Sequence, residues 1–218
     1  MILLCLIVMK YLLSGLYVIT DKTLIPRDSF IKTIEKTLIG GAKIVQLREK
    51  DTPEEEIIRL GKGLHEITRK YGVPLIINDS PLLAKEIGAD GVHLGDDDSP
   101  IAEARKLLGS EAIIGVSCYG KIERGLQAEK AGADYVAFGT PFFTPTKPER
   151  KPTQFEVLRE AKRKITRIPI FAIGGINAEN ARSVLETGVD GIAVITSVFG
   201  SSDPEKASRD LASLFIDI

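Results

Sequence analysis

Apolar and polar positions along the chain follow a repeating unit, in which a helical pattern ends and an apolar strand begins. Four junctions share a glycine, a small or β-branched residue and then a run such as Gly-Val or Ile-Val, at residues 41–45, 88–92, 132–136 and 188–192. Self-similarity at a regular spacing indicates one supersecondary unit that is used several times. The pattern therefore predicts four strands, each preceded by a helix.

Four further apolar runs lie between these junctions, at residues 16–20, 73–78, 113–117 and 168–173. Eight strands that alternate with helices describe a (β/α)₈ TIM barrel, an α/β fold that a chain of 218 residues can form as a single domain. An open doubly wound sheet is the main alternative. No Gly-x-Gly-x-x-Gly follows the first strand, however, and the count of eight favours closure.

The barrel is expected to occupy residues 15–218 as the catalytic domain, after an extension at residues 1–14 whose status the sequence leaves open. Residues 1–9 are apolar and uncharged, but this run is too short to span a bilayer and lacks the features of a signal peptide. An extra strand, a short packing helix or a start upstream of the true one at Met9 would each account for it.

Two helix starts are predicted from local sequence. Thr52 precedes Pro53 and two glutamates, which is typical of a capped start with a proline in the first turn. Asp203 before Pro204 predicts a similar start for the last helix.

The charge balance restricts the class of partner. The chain has 29 basic and 30 acidic residues and a net charge of -1, which argues against a dedicated nucleic-acid binder and means that any cationic site is local. Its two cysteines, Cys5 and Cys118, form no paired spacing for zinc or dithiol chemistry, as expected in a reducing cytoplasm. We therefore expect a cytoplasmic protein with no nucleic-acid or membrane partner, and leave open whether it forms a homo-oligomer.

A cationic cluster is expected where the second strand ends. Gln46, Arg48 and Lys50 occupy every second position of an apolar run that ends in charge, so strand alternation would direct all three to one side. An amide, a guanidinium and an ammonium group at that point are costly to desolvate unless an anion binds them. The pattern predicts an anionic substrate.

Two aspartates follow adjacent strands and are expected at the same rim of the barrel. Asp79 follows the third strand and Asp98 the fourth, and paired carboxylates can hold Mg²⁺ together with water and phosphate oxygens. The alternative is that both simply begin helices, because each stands in an Asp-Ser-Pro sequence. The neighbouring cations favour the metal, since cations and a metal together commonly bind a diphosphate.

Three later strand ends also carry candidate ligand-binding groups. The segment 140–148 after the sixth strand holds several hydroxyls, Lys147 and prolines, and can be read either as a loop that closes over a ligand or as a long surface turn. Gly174-Gly175 and the segment 195–197 follow the seventh and eighth strands, where barrels often bind phosphate. We assign no catalytic role to His93, Cys118 or Tyr119.

Taken in order, these segments resemble thiamine-phosphate synthase, also called thiamine-phosphate pyrophosphorylase. The resemblance runs from about residue 15 to the end. It is carried by Leu16-Tyr-Val-Ile-Thr-Asp21, Gln46-Leu-Arg-Glu-Lys50, Ile77-Asn-Asp79, Gly91-Val-His-Leu-Gly95 with Asp98, Gly115-Val-Ser117, Thr144-Pro-Thr-Lys147, Ile173-Gly-Gly175 and Ile195-Thr196. The family joins a hydroxymethylpyrimidine diphosphate to a thiazole phosphate and releases diphosphate.

The resemblance implies a role for each matching residue. Contacts to the pyrimidine diphosphate are implied for Gln46, Arg48, Lys50, Asn78, Ser117 and Lys147; contacts to the thiazole phosphate for Thr144, Thr146, Gly175, Ile195 and Thr196; and Mg²⁺ binding for Asp79 and Asp98. Leu47, Glu49 and Pro145, which lie within the same motifs, are also expected to bind substrate. The reaction implied is dissociative. Arg48, Lys50, Lys147 and Ser117 would act on the departing diphosphate, with no strong protein base.

One position departs from the family pattern, which usually has glutamine where this chain has Asp96. Asp96 would either raise metal affinity or cap the next helix. Two other functions are kept: a thiazole tautomerase, expected to use a histidine shortly after the fifth strand where this chain has Tyr119, and a non-catalytic barrel that binds a phosphorylated ligand.

Overall fold

The structure is a computed structural model that describes residues 13–144 and 151–215. Eight parallel strands form a closed barrel in chain order, as the sequence predicts. The strands are β1 (Gly15–Ile19), β2 (Ile44–Leu47), β3 (Leu75–Asn78), β4 (Gly91–Leu94), β5 (Ile113–Tyr119), β6 (Tyr135–Gly139), β7 (Ile170–Ile173) and β8 (Gly191–Val194). The first strand pairs with the last through Gly15 and Gly191, so the described sheet has no free edge.

Helices follow the strands and surround the barrel. They are α1 (Phe30–Ile39), α2 (Glu54–Tyr71), α3 (Pro81–Ile87), α4 (Ile101–Leu108), α5 (Ile122–Lys130), α6 (Phe155–Lys164), α7 (Ala181–Leu185), α8 (Thr196–Phe199) and α9 (Pro204–Ser213), with a 3₁₀ turn at Arg27–Ser29. No helix within the described ranges is both long enough and apolar enough to cross a membrane.

Apolar side chains form two separate layers, one on each face of the strands. The larger layer packs between strands and helices, and the smaller one fills the barrel interior with residues such as Tyr17, Ile76, Tyr135 and Phe171. Leu13 is 3% exposed and belongs to the interior layer, although it precedes the predicted domain boundary at residue 15. Residues 1–12, which carry the apolar run, lie outside the described residues.

Three of the four repeated junctions have an aspartate two residues after the glycine, and these aspartates have a structural role at the amino-terminal end of the barrel. Asp90, Asp134 and Asp190 directly precede β4, β6 and β8, and each carboxylate accepts a hydrogen bond of 2.8 Å from a main-chain N–H at the start of the preceding strand. Each aspartate's own N–H donates to the carbonyl of that same residue. These three side chains therefore fasten adjacent strands at the end opposite the expected active site.

The two predicted helix starts have different outcomes. Asp203 caps α9 as predicted, because its carboxylate accepts from the N–H of Lys206 at 3.1 Å. The prediction for Thr52 is wrong: the N-cap of α2 is Pro53 and no side chain caps it. The Thr52 hydroxyl instead lies 3.4 Å from Arg27 Nη2, a partner from a distant segment that local sequence does not reveal.

Candidate active site

A cavity of about 350 Å³ opens at the carboxyl ends of the strands, within the ring of loops that follow them. Its walls are largely apolar, and polar groups reach it from several different strands. Eight of the residues predicted for substrate binding line it: Gln46, Arg48, Asn78, Ser117, Thr144, Gly175, Ile195 and Thr196. An apolar cavity with a few convergent polar groups is the usual form of a small-molecule site.

The end of β2 divides the predicted cationic cluster between two places. Gln46 is buried and Arg48 lines the cavity, but β2 ends at Leu47, so strand alternation does not continue to Lys50. Lys50 lies instead on the rim, where its Nζ is 3.5 Å from Asp79 Oδ2 and its side chain is 53% exposed.

Two residues of the same segment point their side chains elsewhere. Leu47 belongs to the apolar layer beneath the helices, so any ligand contact would be through its main chain. The Glu49 carboxylate is fully buried, 2.6 Å from Arg27 Nη2, and accepts a hydrogen bond from the Thr20 hydroxyl at 3.3 Å. Glu49 thus anchors the segment that carries Arg48 and Lys50, and its side chain is not presented to the cavity.

The two predicted metal ligands lie at the rim rather than in the central cavity. Asp79 adopts a left-handed conformation with φ of 65°, which costs a non-glycine residue about 1 kcal/mol or more, and its N–H donates to the carbonyl of His93 at 2.8 Å. Ser80, not Asp79, caps α3, by accepting from the N–H of Leu83 at 3.2 Å. Asp98 caps no helix either, and accepts from the N–H of Gly95 at 2.5 Å.

Asp79 and Asp98 are in direct contact, as expected for side chains that follow adjacent strands. Partial burial raises the pKa of Asp98, and the hydrogen-bonded Asp79 carboxylate raises it further, against opposing effects of the Gly95 N–H and Lys50. A contact between two carboxylates is unfavourable unless a proton or a cation lies between them. The described residues contain no group of three or more His, Cys, Asp or Glu side chains that could hold a metal, so a metal here would need further oxygens, such as those of water and substrate, which is how proteins usually bind Mg²⁺.

The loops after β6 and β7 pack closely on each other beside the cavity. Gly175 has φ of 65°, and a Cβ atom there would lie 2.1 Å from the carbonyl oxygen of Phe143, so only glycine allows this approach. Thr140 Oγ1 donates to the carbonyl of Gly174, and Asn180 Nδ2 donates to that of Gly175 at 2.9 Å. Pro145, Thr146 and Lys147 lie outside the described residues.

All three residues of the segment 195–197 after β8 line the cavity, although the family resemblance implies a ligand contact only for Ile195 and Thr196. Ser197 also lines the cavity, and its hydroxyl oxygen is buried with no hydrogen-bond partner among the described residues. An unpartnered buried hydroxyl is costly, so a ligand oxygen at this position would satisfy it.

No ligand contact was predicted from the sequence for three residues in the floor of the cavity. Tyr17, His93 and Tyr119 line it, and Tyr17 and His93 belong to a buried hydrogen-bonded chain with Tyr135. The strands predicted these positions but not their contacts, which depend on register across the barrel. Cys118, by contrast, is fully buried, and burial raises the pKa of its thiol to about 12, so it is protonated and unsuited to nucleophilic catalysis.

The structure answers the question posed by Asp96. Its carboxylate lies 2.5 Å from Arg124 Nη1, and Arg124 also donates to the carbonyls of Gly95 and Ser117 at 2.7 and 2.6 Å. Asp96 therefore neither caps α4 nor contacts Asp98 in the described interactions. It orients an arginine that joins the ends of β4 and β5.

Comparison with known proteins identifies the family. Residues 16–198 match the model of the family described as thiamine monophosphate synthase. The chain belongs to this family. The thiamine-phosphate synthase of Methylococcus capsulatus is 48% identical over 202 residues, which cover 93% of this chain and 89% of that protein. The thiamine-phosphate synthase of Clostridium novyi is 48% identical over 200 residues, covering 91% and 97%.

A solved structure shows that the similarity extends from the sequence to the three-dimensional fold. The thiamine phosphate pyrophosphorylase of Pyrococcus furiosus superposes with a TM-score of 0.86 at 40% identity, and the match covers 96% of this chain and 98% of that one. Family membership and the barrel fold therefore agree.

Proposed function

We propose that this chain is a thiamine-phosphate synthase, which joins 4-amino-2-methyl-5-hydroxymethylpyrimidine diphosphate to a thiazole phosphate to give thiamine phosphate and diphosphate. Membership of the family supports the reaction class. The structural observation that carries the proposal is the rim at the ends of β2, β3 and β4. There Lys50 meets a pair of touching carboxylates beside the apolar cavity. This is the combination that a diphosphate leaving group requires.

The bond changes need little from the protein except charge stabilisation. The C–O bond between the pyrimidine methylene and the diphosphate breaks, and its electron pair leaves with the diphosphate oxygen. The thiazole nitrogen then donates its lone pair to the methylene carbon and becomes quaternary, so no proton must be removed. Arg48 and Lys50, joined by Lys147, would offset the charge that develops on the departing diphosphate, and the Ser117 hydroxyl would donate to the same substrate.

The apolar walls of the cavity suit the carbocation-like stage of this reaction. Ile19, Ile173, Ile176 and Ile195 line the cavity near its polar groups. A cation formed there reacts with water if water is present, so apolar walls favour capture by the thiazole nitrogen. The Cys118 thiol offers no competing nucleophile, because it is fully buried and does not line the cavity.

The rim carboxylates would hold Mg²⁺. Asp79 and Asp98 supply the hard oxygen ligands that this ion prefers, and their mutual contact would be relieved by a cation. When bound, the ion would supply positive charge to the diphosphate oxygens. Lys50, 3.5 Å from Asp79, would bring a second positive charge to the same group.

The remaining contacts are assigned in the same way. Gln46, Asn78 and the main chain of the segment 46–50 would bind the pyrimidine diphosphate, and Thr144, Pro145, Thr146, Gly175, Ile195 and Thr196 the thiazole phosphate. The catalytic domain would be residues 15–218, working in the cytoplasm, where the free buried Cys118 is expected to remain reduced. Self-association is left open.

One assay separates this function from the two alternatives. Both substrates with Mg²⁺ should yield thiamine phosphate and diphosphate in equal amounts, measured together by chromatography and a diphosphate-coupled assay. A metal-independent proton shift on the thiazole without condensation would identify a tautomerase, which Tyr119 at the histidine position already disfavours. Saturable binding of both substrates with no product would identify a non-catalytic barrel.

A further inference from the structure

A chain of buried hydrogen bonds crosses the floor of the cavity and connects five residues on five different strands. The Gln46 amide donates to the Tyr17 hydroxyl at 2.6 Å, and the hydroxyls of Tyr17 and Tyr135 lie 2.8 Å apart. His93 Nδ1 is 2.9 Å from the Tyr135 hydroxyl, and His93 Nε2 is 2.9 Å from the Ser117 hydroxyl. Both ends of this relay, Gln46 and Ser117, line the cavity.

The packing of the barrel interior holds the relay in place. Tyr17 and Tyr135 are fully buried and meet edge to face, while the His93 ring stacks on Tyr135 with ring centroids 5.5 Å apart. A Cβ atom on Gly115 would lie 2.0 Å from Tyr135 Cζ, so glycine at this point of β5 is what lets the tyrosine reach across to β4. Burial raises the pKa of both tyrosines, so each keeps its proton.

The donors can be ordered along the relay from the Gln46 end. Tyr17 accepts from the Gln46 amide, so its single proton is available for Tyr135. Tyr135 accepts a hydrogen bond from the Tyr17 hydroxyl and donates one from its own hydroxyl to His93 Nδ1. A neutral imidazole whose Nδ1 accepts must carry its proton on Nε2, which then donates to the Ser117 oxygen.

We propose that this relay fixes His93 as the Nε2–H tautomer and thereby sets the polarity of two groups that face the ligand. Ser117 accepts from His93, so its own proton points to a ligand acceptor. Gln46 donates one of its two amide N–H groups to Tyr17, which fixes the orientation of the amide and leaves its carbonyl oxygen to accept from a ligand donor. Tyr17, Tyr135 and His93 are positioning residues, which act on the ligand through Gln46 and Ser117.

This polarity suits an aminopyrimidine, a link that rests on the proposed function. An aminopyrimidine offers a donor in its exocyclic amine and acceptors in its ring nitrogens. Gln46 as acceptor and Ser117 as donor complement that pair, whereas a reversed relay would present the opposite pattern. A site that hydrogen-bonds a substrate strongly rejects analogues that leave its buried groups unpaired. The relay would therefore contribute to the choice of pyrimidine.

The tautomer can be measured directly, because the chain has only two histidines. In protein labelled with ¹⁵N-histidine, the variant His65→Gln leaves His93 as the sole imidazole, and two-dimensional ¹⁵N–¹H spectra show which nitrogen carries the proton. We expect one tautomer, with the proton on Nε2. A proton on Nδ1, or two tautomers in exchange in this otherwise unchanged relay, would overturn the proposal.

Tyr17→Phe provides the decisive variant, since Tyr17 makes no hydrogen bond to His93 among the described interactions. Removal of its hydroxyl frees Tyr135 to accept from His93 Nδ1, so we expect a mixture of tautomers in Tyr17→Phe and in Tyr135→Phe. Tyr71→Phe, which removes a partly exposed hydroxyl bonded to Glu35, is the matched control and should leave the tautomer unchanged. An unaltered His93 spectrum in folded Tyr17→Phe would refute a continuous relay.

Kinetics supplies the second readout. Tyr135→Phe should lower kcat/KM for the pyrimidine diphosphate by roughly 10-fold, the effect of one misdirected hydrogen bond, and leave KM for the thiazole phosphate unchanged. Equal losses for both substrates would point to general damage and contradict the proposal. If the wild-type protein shows the expected tautomer but forms no thiamine phosphate, the proposed function fails and the relay stands.

Discussion

Asp98 is placed where its negative charge is unfavourable without a cation. Burial and the touching Asp79 carboxylate together raise its pKa, and Lys50 lowers it only in part. When the pKa of a carboxyl group is higher in the folded protein than in the unfolded chain, the protein loses stability as the pH rises from the unfolded-state pKa to the folded-state pKa. The loss of folding stability caused by the ionised Asp98 is therefore complete at pH values above its folded-state pKa. In the same pH range the carboxylate is free of its proton and a metal would bind.

Replacement of either carboxylate should separate metal binding from folding. Asp79→Asn and Asp98→Asn should each raise the Mg²⁺ concentration needed for diphosphate release steeply, because a neutral amide is a much weaker ligand. In metal-free buffer near neutral pH, Asp98→Asn should also raise the melting temperature, since it removes the unfavourable charge. The gain should disappear in acid, below the pKa of an unfolded aspartate.

Asp97→Asn, which changes an exposed neighbour, is the matched control and should change neither the Mg²⁺ requirement nor the melting temperature.

The metal requirement of the unmodified protein should increase as the pH falls, because Mg²⁺ competes with the proton that Asp98 retains. This increase should begin at a higher pH than an ordinary aspartate would cause. Full turnover of both asparagine variants without metal would contradict the assignment.

Lys147 can be tested by its effect on the chemical step, although it lies outside the described residues. Lys147→Ala should lower the single-turnover rate by roughly 10²-fold, as expected on loss of one group that stabilises transition-state charge. Lys151→Ala, an exposed lysine a few residues later, should have little effect. A loss restricted to the affinity for thiazole phosphate would place Lys147 on the other substrate.

At the scale of elements, α5 holds two strand ends of the site together. Arg124 on this helix binds the carbonyl of Gly95 after β4, the carbonyl of Ser117 in β5 and the carboxylate of Asp96. The same loop contains Asp98, whose carboxylate accepts from Gly95 N–H. One guanidinium therefore links the segment of a proposed metal ligand to that of a proposed substrate ligand.

Arg124→Lys should weaken both functions of this link. An ammonium group cannot reach three acceptors in the planar geometry of a guanidinium, so we expect kcat to fall about 10-fold and the Mg²⁺ requirement to rise. Lys121→Ala, which removes a more exposed cation 3.8 Å from Asp96, is the control and should cost little. Steady-state kinetics at several Mg²⁺ concentrations would decide, and unchanged constants for Arg124→Lys would exclude a positioning role.

The same elements show how far sequence reasoning reaches. Strand ends identified eight of the residues that line the cavity, because in a barrel the positions after the strands converge whatever the details of register. Asp79 and Asp98 lie beside each other for that reason, and their role as metal ligands stays a prediction. The orientation of Glu49 toward Arg27, the early end of β2 and the partner of Asp96 were not predictable, since each depends on a contact between segments distant in the chain.

At the scale of the whole molecule, the aspartates that join neighbouring strands and the proposed active site lie at opposite ends of the barrel. Asp134, at the amino-terminal end, binds the N–H of Ile114 at 2.8 Å and Arg105 Nη2 at 2.6 Å. Neither partner lines the cavity. The carboxylate is thus part of the framework and lies away from the proposed chemistry.

Asp134→Ala should lower the free energy of unfolding by about 2 kcal/mol, the typical value for a charged group that loses its hydrogen bonds. The measurement is chemical denaturation, with kcat unchanged at temperatures where the variant is folded. Asp210→Ala, which removes an exposed pair with Lys206 on α9, should change stability by less than about 0.5 kcal/mol. A marked loss of kcat in folded Asp134→Ala would mean that the two ends are coupled.

The aspartates that fasten β3 to β4, β5 to β6 and β7 to β8 also divide the barrel into strand pairs. In the remaining pair, β1 and β2, the corresponding residue is Lys43. Its ammonium group cannot accept a hydrogen bond from a main-chain N–H as the aspartates do, and only its main-chain N–H donates to the carbonyl of Leu16. Cooperative units of folding often coincide with such supersecondary pairs. Amide protons of β1 and β2 should accordingly exchange with solvent sooner than those of the three strand pairs that an aspartate joins. This result would mean that the barrel opens first at the strands that carry Tyr17 and Gln46.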